Sequence, residues 1–389
     1  MRVEKYKYTG TAFAVCFNYW HYLWCYTDNC VPNFKQLTET ACELIKNIVQ
    51  IEMLYKFTAM NVIHFPLVGI NYGIRMLLQY RYVQSTIKPL VLDCCEKASF
   101  TLTRQHAREL FRTYPLYTVC CNAENFLILK GRKININERK RITLGGIMAS
   151  LSDELLDEDG WSLEDLILLL NNQKTFDDLS ERAKLLVLIN EAFKSTGYIN
   201  EGYLDQLQKA FIVQANSAIQ FKSDISFTDA AKITKDKGGQ ANLLIGYLLD
   251  GKFSDLENKF IYQTGVLGQL MDDIYDIYED LQQNIHTAIT KARSINEMEA
   301  FFTEECRIMN ELVRQMPMHK KLQNKLIRYT TFIPACAFIA LEQFKQVEQQ
   351  YGGPPASWKT LPRKLLIVDM EKLSNDIKMV KYCSYCAQL

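Results

Sequence analysis

Gln269-Leu270-Met271-Asp272-Asp273-Ile274-Tyr275-Asp276-Ile277-Tyr278-Glu279-Asp280-Leu281 holds five acids and no base. At about 100° per residue, Asp272, Asp276, Asp280 and Glu279 fall within an arc of roughly 100° on a helix, with Gln269 beside them. Leu267, Leu270, Ile274, Ile277 and Leu281 take the opposite face, as in an amphipathic helix. A solvent-facing acidic stripe is the plain reading. Exposed helix faces, however, normally interleave Lys or Arg at four-residue spacing, and like charges at that spacing repel by some tenths of a kcal/mol per pair. This stretch accepts the repulsion without local relief.

Upstream, Asp153-Glu154-Leu155-Leu156-Asp157-Glu158-Asp159 repeats the pattern with five acids and no base. Asp153 and Asp157 are four apart and share a helical face, with Glu154 and Glu158 in a row beside them. The small, apolar run Gly145 to Leu151 precedes them, so these acids emerge at the C-terminal end of a buried helix. The helix dipole is negative there and costs each carboxylate a few tenths of a kcal/mol or more.

Beyond the two clusters, apolar residues recur at three and four along the chain, and no stretch of strict alternation is sustained. The chain is read as all-α, and only 17 Gly and 9 Pro in 389 residues leave few breakers against long helices. Helices are expected over about 36–58, 60–82, 86–99, 101–114, 117–129, 137–158, 162–172, 178–195, 200–222, 227–235, 239–250, 255–284, 294–316, 318–351 and 361–382. Three breaks stand out. Gly160 can take the left-handed conformation after Asp159, and Ser162 can cap the next helix through the amide of Asp165. Lys237-Gly238-Gly239-Gln240 is read as an interruption, and Gly352-Gly353-Pro354-Pro355 as a helix end. No low-complexity linker or internal repeat divides the chain. A single helical domain is expected over 1–389, with residues 1–60 as an N-terminal helical extension.

Net charge is +1, from 45 bases and 44 acids, which removes any general argument for nucleic-acid binding or a polybasic membrane surface. The neutral total conceals segregation, since Lys130 to Arg141 holds six bases with Glu138 as the only acid. The cysteines sit mostly in apolar, helical runs, including the adjacent pairs Cys94/Cys95 and Cys120/Cys121, and read as buried free thiols. Cys383 and Cys386 form the only CxxC, without a second pair or a nearby histidine to complete a zinc set. Cys386-Ala387-Gln388-Leu389 formally matches a prenylation box, but its middle residues are not aliphatic. The apolar run Thr11 to Tyr26 is broken by Asn18 and His21, lacks a small-residue cleavage site and is too short to span a bilayer. A soluble cytoplasmic protein without a membrane span is expected, and a homodimer is compatible with the sequence.

A divalent cation would turn the repulsion within both acid clusters into attraction. Oxygen-only ligands suit magnesium rather than zinc, and the five histidines (His21, His64, His106, His286, His319) are scattered. Magnesium held by few carboxylates completes its shell with water and substrate phosphates, so two such helices facing each other would bind a diphosphate. Lys235 and Lys237 beside the glycines, and Arg328, are the candidate cationic donors, with amides freed at Gly238 and Gly239 adding hydrogen bonds.

Asp-Glu-x-x-Asp-Glu in the first cluster, Gln-x-x-Asp-Asp-x-x-Asp in the second and Lys237-Gly238-Gly239 before it resemble the class I isoprenoid synthase superfamily. By motif the resemblance covers roughly 140–290. Asp272-Asp273-x-x-Asp276 is similar to the second aspartate-rich motif of prenyl diphosphate synthases, and Asp276-x-x-Glu279-Asp280 to the Asp-x-x-Glu-Asp of squalene and phytoene synthases. Asp272, Asp276 and Asp280 also match the four-residue intervals of terpene cyclases, with Asp in place of the usual Glu. The combination is most similar to large-terpene synthases of the tetraprenyl-β-curcumene kind. Chain-elongating enzymes carry paired arginines just after the first motif, where this chain has Asp159-Gly160-Trp161-Ser162, and Gly73-Ile74-Arg75 is a faint echo of their Gly-Lys-Arg segment.

The resemblance implies a bundle with a central cavity and a magnesium-dependent ionisation of one allylic prenyl diphosphate. Three magnesium ions are implied, with manganese as a substitute. Asp153, Glu154, Asp157, Asp272, Asp273, Asp276 and Asp280 would be the ligands, with Asp153, Asp157, Asp272 and Asp276 the catalytic core. Lys235, Lys237, Gly238 and Arg328 would hold the diphosphate. The carbocation would cyclise in an apolar pocket whose aromatic faces stabilise it, with Tyr275 and Tyr278 as candidate lining. A prenyl transferase and a non-catalytic helical binding protein are the alternatives.

Overall fold

Few breakers and a three-to-four apolar period give helix almost throughout, with no strand among the described residues. The computed structural model describes residues 59–171, 173–197, 201–370 and 372–389. The N-terminal extension, the apolar run Thr11 to Tyr26 and the helix expected over about 36–58 lie outside the described residues. The chain runs α1 (Ala59–Tyr82), α2 (Lys88–Ala98), α3 (Arg104–Arg108), α4 (Tyr114–Tyr117), α5 (Glu124–Leu129), α6 (Ile136–Asp157), α7 (Leu163–Leu170), α8 (Glu181–Lys194) and α9 (Tyr203–Asn216). It continues through α10 (Phe227–Tyr247), α11 (Asp255–Tyr275), α12 (Ile277–Gln283), α13 (Ala288–Lys291), α14 (Ile295–Gln315), α15 (Lys320–Thr330), α16 (Phe332–Tyr351), α17 (Arg363–Leu366) and α18 (Leu373–Gln388). No described helix is long and apolar enough to cross a membrane.

Wide π-turns at Val83–Ile87 and Glu109–Thr113 each end two residues before a proline, Pro89 and Pro115. Proline donates no amide hydrogen bond and its ring crowds the carbonyl four residues back, so widening the preceding turn keeps the helix going. The expected punctuation at two loops is present. Gly160 has φ +67°, and Ser162 Oγ accepts from the Asp165 amide at 3.0 Å. Gly352, φ +72°, caps the end of α16 at Tyr351.

Other boundaries differ from expectation. The 318–351 stretch divides at Thr331 into α15 and α16, and 361–382 becomes the short α17 and a separate α18. Lys237-Gly238-Gly239-Gln240 does not interrupt a helix, for α10 passes straight through it. The glycines serve close packing instead: a Cβ on Gly238 would stand 2.2 Å from the Gly265 carbonyl oxygen of α11, and one on Gly239 2.2 Å from the Tyr262 ring. The amides at 238 and 239 are therefore interior helix amides, not freed ones.

The described chain divides into two units. One comprises the chain up to Asn71, Ser217–Gly238 and Gln263–Leu389; the other comprises Tyr72–Asn216 and Gly239–Tyr262. In the second, α6 packs on α8 and on the α4 region through Ile142, Ile147, Leu151 and Leu155, all buried. In the first, α16 packs on both α14 and α18, and its Phe338 meets Phe302 edge-on and stacks on Tyr382.

Candidate functional site

The helix bearing the first acid cluster is fixed at its start. Asn135 Oδ1 accepts from the Glu138 amide at 2.9 Å and the Glu138 carboxylate accepts from the Asn135 amide at 2.9 Å, a reciprocal cap on α6. Glu138, fully buried, also takes both Arg132 nitrogens at 2.8 and 2.6 Å and the Asp250 amide at 2.7 Å. Buried Arg141 pairs with Asp250 at 2.8 Å, Lys130 with Glu257 at 2.8 Å and Arg139 with Glu124 at 3.5 Å. Four bases of the stretch, Lys130, Arg132, Arg139 and Arg141, are thus paired with carboxylates.

At the other end of α6, the first cluster also has a counter-ion that its own sequence lacks. Arg182 of α8 reaches Glu154 at 2.8 Å, Glu158 at 3.3 Å and Asp159 at 2.6 Å. His106 Nε2 lies 3.7 Å from Glu154. Burial pushes the Glu154 carboxyl up to about 7 against the pull of Arg182, with Glu109 and Glu158 adding to the rise. Burial, reinforced by Arg182, also holds His106 below the ordinary imidazole value. Asp153 is half-buried and its Oδ2 accepts from Tyr114 Oη at 3.4 Å. Asp157 ends α6, and its side chain lies outside the described residues.

The second cluster, in the other unit, is not a solvated stripe. Leu267, Leu270, Ile274, Ile277 and Leu281 are buried as expected, but so are Asp273 and Asp280, while Asp272 and Asp276 are half-buried. The helix expected through 284 turns at Asp276, φ −88° and ψ 10°, between α11 and α12. Thr234 Oγ1 donates to Asp273 Oδ2 at 2.6 Å, and Gln269 Nε2 lies 3.3 Å from Asp272 Oδ2 and 3.2 Å from Asp273 Oδ1. Thr287 Oγ1 donates to Asp280 Oδ2 at 3.2 Å. Asp272 Oδ1 is buried with no hydrogen-bond partner.

Burial, with Asp273 adding to it, pushes the Asp272 carboxyl up to about 6, opposed by Lys237 and Gln269. Burial raises Asp273 as well, against Thr234, Gln269 and Lys237. Asp276 and Asp280 are driven well above the usual range by burial first and by their acidic neighbours second. Glu279 stands apart, since Arg363 of α17 pairs with it at 3.0 Å and lies over the Tyr278 ring.

Of the expected donors, Lys237 lies near enough to Asp272, Asp273 and Asp280 to oppose their rise. Lys235 points elsewhere: its Nζ bonds Glu305 of α14 at 2.6 Å, and Gln263 Nε2 takes the other carboxylate oxygen at 2.7 Å. Arg328, in the last turn of α15, makes no ion pair with the acids of α11 and α12 among the described residues. Tyr275 is buried and donates to the Cys336 carbonyl at 3.1 Å, and so packs α11 onto α16. Tyr278 is half-buried beneath Arg363.

Sequence reading missed Arg182, Arg363, Thr234, Thr287 and Glu305. Glu305 carried a signal, for it falls on the apolar face of α14 with Met298, Phe302 and Met309, all fully buried, where an unpaired carboxylate would be costly. Arg182 and Arg363 carried none, because each meets its acids only through tertiary packing.

In chemistry, the carboxylates of α11 and α12 are oxygen donors of the type a hard divalent cation takes. They are all acceptors, repel one another and leave Asp272 Oδ1 without a donor. Among the described residues no three His, Cys, Asp or Glu side chains converge as a ligand set. Comparison with models of known protein families, with curated protein sequences and with solved structures returned no match.

Proposed function

We propose that the chain is a magnesium-dependent class I terpene synthase that ionises an allylic prenyl diphosphate, cyclises or rearranges the carbocation and releases diphosphate. One observation carries the reading: four aspartates on one short stretch of α11 and α12 are buried or half-buried together, and one inward oxygen lacks any donor. Burying like charges without compensation destabilises a fold, and a cation-binding role is a reason to retain them. Asp272, Asp273, Asp276 and Asp280 would hold magnesium, which when bound neutralises the diphosphate and stabilises it as a leaving group. Thr234 and Gln269 orient Asp273, Thr287 orients Asp280, and Lys237 supplies the fixed positive charge beside them. Asp153 and Asp157 are assigned on motif resemblance, and Glu154, held by Arg182, is a weaker candidate ligand. Lys235 positions α10 through Glu305 rather than meeting the diphosphate. The proposed compartment is the cytoplasm.

A non-catalytic helical protein is favoured by one specific observation, namely that Arg182 hydrogen-bonds Asp159 and Glu158 and lies in ion-pair range of Glu154, as a structural counter-ion would. Incubating the chain with C10 to C35 allylic diphosphates and magnesium, with and without isopentenyl diphosphate, separates the readings by gas chromatography of the products. Diphosphate release and a cyclic or rearranged hydrocarbon from one substrate are expected, and Asp276→Asn should abolish both while retaining the fold. Product only with isopentenyl diphosphate would make the chain a transferase; no turnover of any substrate would favour the non-catalytic reading.

A further inference from the structure

A second segregated charge run lies far from the acids in sequence. Between Glu311 and Glu342 there is no acid, while Arg314, His319, Lys320, Lys321, Lys325 and Arg328 supply every charge. Four of these bases are on α15, where at about 100° per residue Lys320, Lys321, Lys325 and Arg328 span an arc of roughly 140°. Gln323, Leu326, Ile327 and Thr330 form the opposite, buried arc, so the basic arc faces outward, with Lys320, Lys321 and Lys325 exposed and Arg328 half-buried.

Two features mark this surface. Its four bases have no ion pair among the described residues, as is also true of Lys222, Lys232, Lys364 and Lys372 of the same unit, but here they share one face of a helix that holds no acid. Lys320 and Lys321 also occupy the first turn of α15, which holds no acid. The helix dipole is positive there and disfavours cations. The chain keeps a doubly unfavourable arrangement that an external anionic surface would relieve.

We propose that the outward face of α15 docks on an anionic lipid bilayer. The edge of the patch favours lipid over other polyanions. Leu322 and Tyr329 lie half-buried at the margin of the basic arc, Pro317 is exposed and Met318 half-buried just before the helix; apolar and aromatic groups of this kind settle at the headgroup boundary. Three of the four bases are lysines, compact point charges suited to a diffuse anionic surface, rather than the planar arginine forks that read phosphates in fixed geometry. Since no described helix spans a membrane, the contact would be peripheral, reversible and weakened by salt.

Sedimentation of the full chain with phosphatidylcholine vesicles, with and without phosphatidylserine, tests this. Binding is expected only with phosphatidylserine, and raised salt should release it. K320Q/K321Q/K325Q should weaken it about a hundredfold, at about fivefold per lysine, and K325Q alone about fivefold. The melting temperature should not fall, because all three side chains are exposed. Failure to sediment with phosphatidylserine vesicles, equal binding to the neutral ones, or undiminished binding by the folded triple variant would overturn the proposal. Equally tight binding to duplex DNA would also overturn it, in favour of a nucleic-acid surface.

Discussion

Replacing Asp272 with asparagine should stabilise the metal-free protein near neutral pH, a reversal of what most buried substitutions do. Asparagine has nearly the same shape and is neutral, so it stands in for the protonated acid. The Asp272 carboxyl sits at about 6 in the fold, against about 3.9 in an unfolded chain. A carboxyl raised on folding binds its proton more tightly in the native state, so between these two values stability falls as pH rises, and above the folded value the full penalty remains. The penalty is about 3 kcal/mol at pH 7.5 and about 1 kcal/mol at pH 4.5, at about 1.4 kcal/mol per pH unit. Unfolding entropy of about 2.1 cal/mol/K per residue makes each kcal/mol worth about 1 °C if the whole chain melts together and about 2 °C if half of it does.

Asp272→Asn should therefore raise the melting midpoint by about 3–6 °C at pH 7.5 and by only about 1–2 °C at pH 4.5, read by circular dichroism in the presence of chelator. A lower midpoint for the variant at pH 7.5, or the same gain at both pH values, would refute the claim that Asp272 is a desolvated, repelled carboxylate. Magnesium at pH 7.5 should then raise the wild-type midpoint more than the variant's, because a ligand stabilises in proportion to its affinity for the native state.

Three further outcomes follow from packing. Gly238→Ala should cost about 3 kcal/mol or more in urea unfolding, since its Cβ would meet the Gly265 carbonyl at 2.2 Å and two helices cannot part cheaply. Glu138→Gln should lose about 3–5 kcal/mol by the same measurement, because it leaves Arg132 without its buried partner. Native-state alkylation followed by mass spectrometry should leave Cys306, Cys383 and Cys386 unmodified, as all three are fully buried and burial, with Cys306 adding to it, pushes the Cys386 thiol well up. The same burial withholds the formal prenylation cysteine from any modifying enzyme while α18 is docked.

The all-α class, the cap at Ser162, the turn at Gly160 and the apolar face of α11 were legible from residue order because each depends on neighbours within a few positions. Period, capping and left-handed glycine are local properties, and no distant contact has to be known to read them. The acids were legible as clusters, but their surroundings were not. Residue order made both stretches base-free, whereas packing brings Arg182 to the first and Arg363 to Glu279 in the second. The glycine pair was misjudged for the same reason. Two adjacent glycines signal a break when only the helix's own entropy is weighed, but the backbone of a second helix needs the space their missing side chains leave.

By itself, then, the sequence determined that the chain is helical, where most helices start and stop, and that its charges are segregated into acidic and basic runs. Only the tertiary structure decided which of those charges are neutralised. A counter-ion 127 residues away, as Glu257 is from Lys130, is invisible to local pattern, and burial, which sets whether a carboxylate is a solvated face or a strained site, belongs to the packed molecule. It left Glu154, Glu158 and Asp159 facing Arg182, Asp273 and Asp280 buried beside half-buried Asp272 and Asp276, and the lysines of α15 exposed without an ion pair among the described residues.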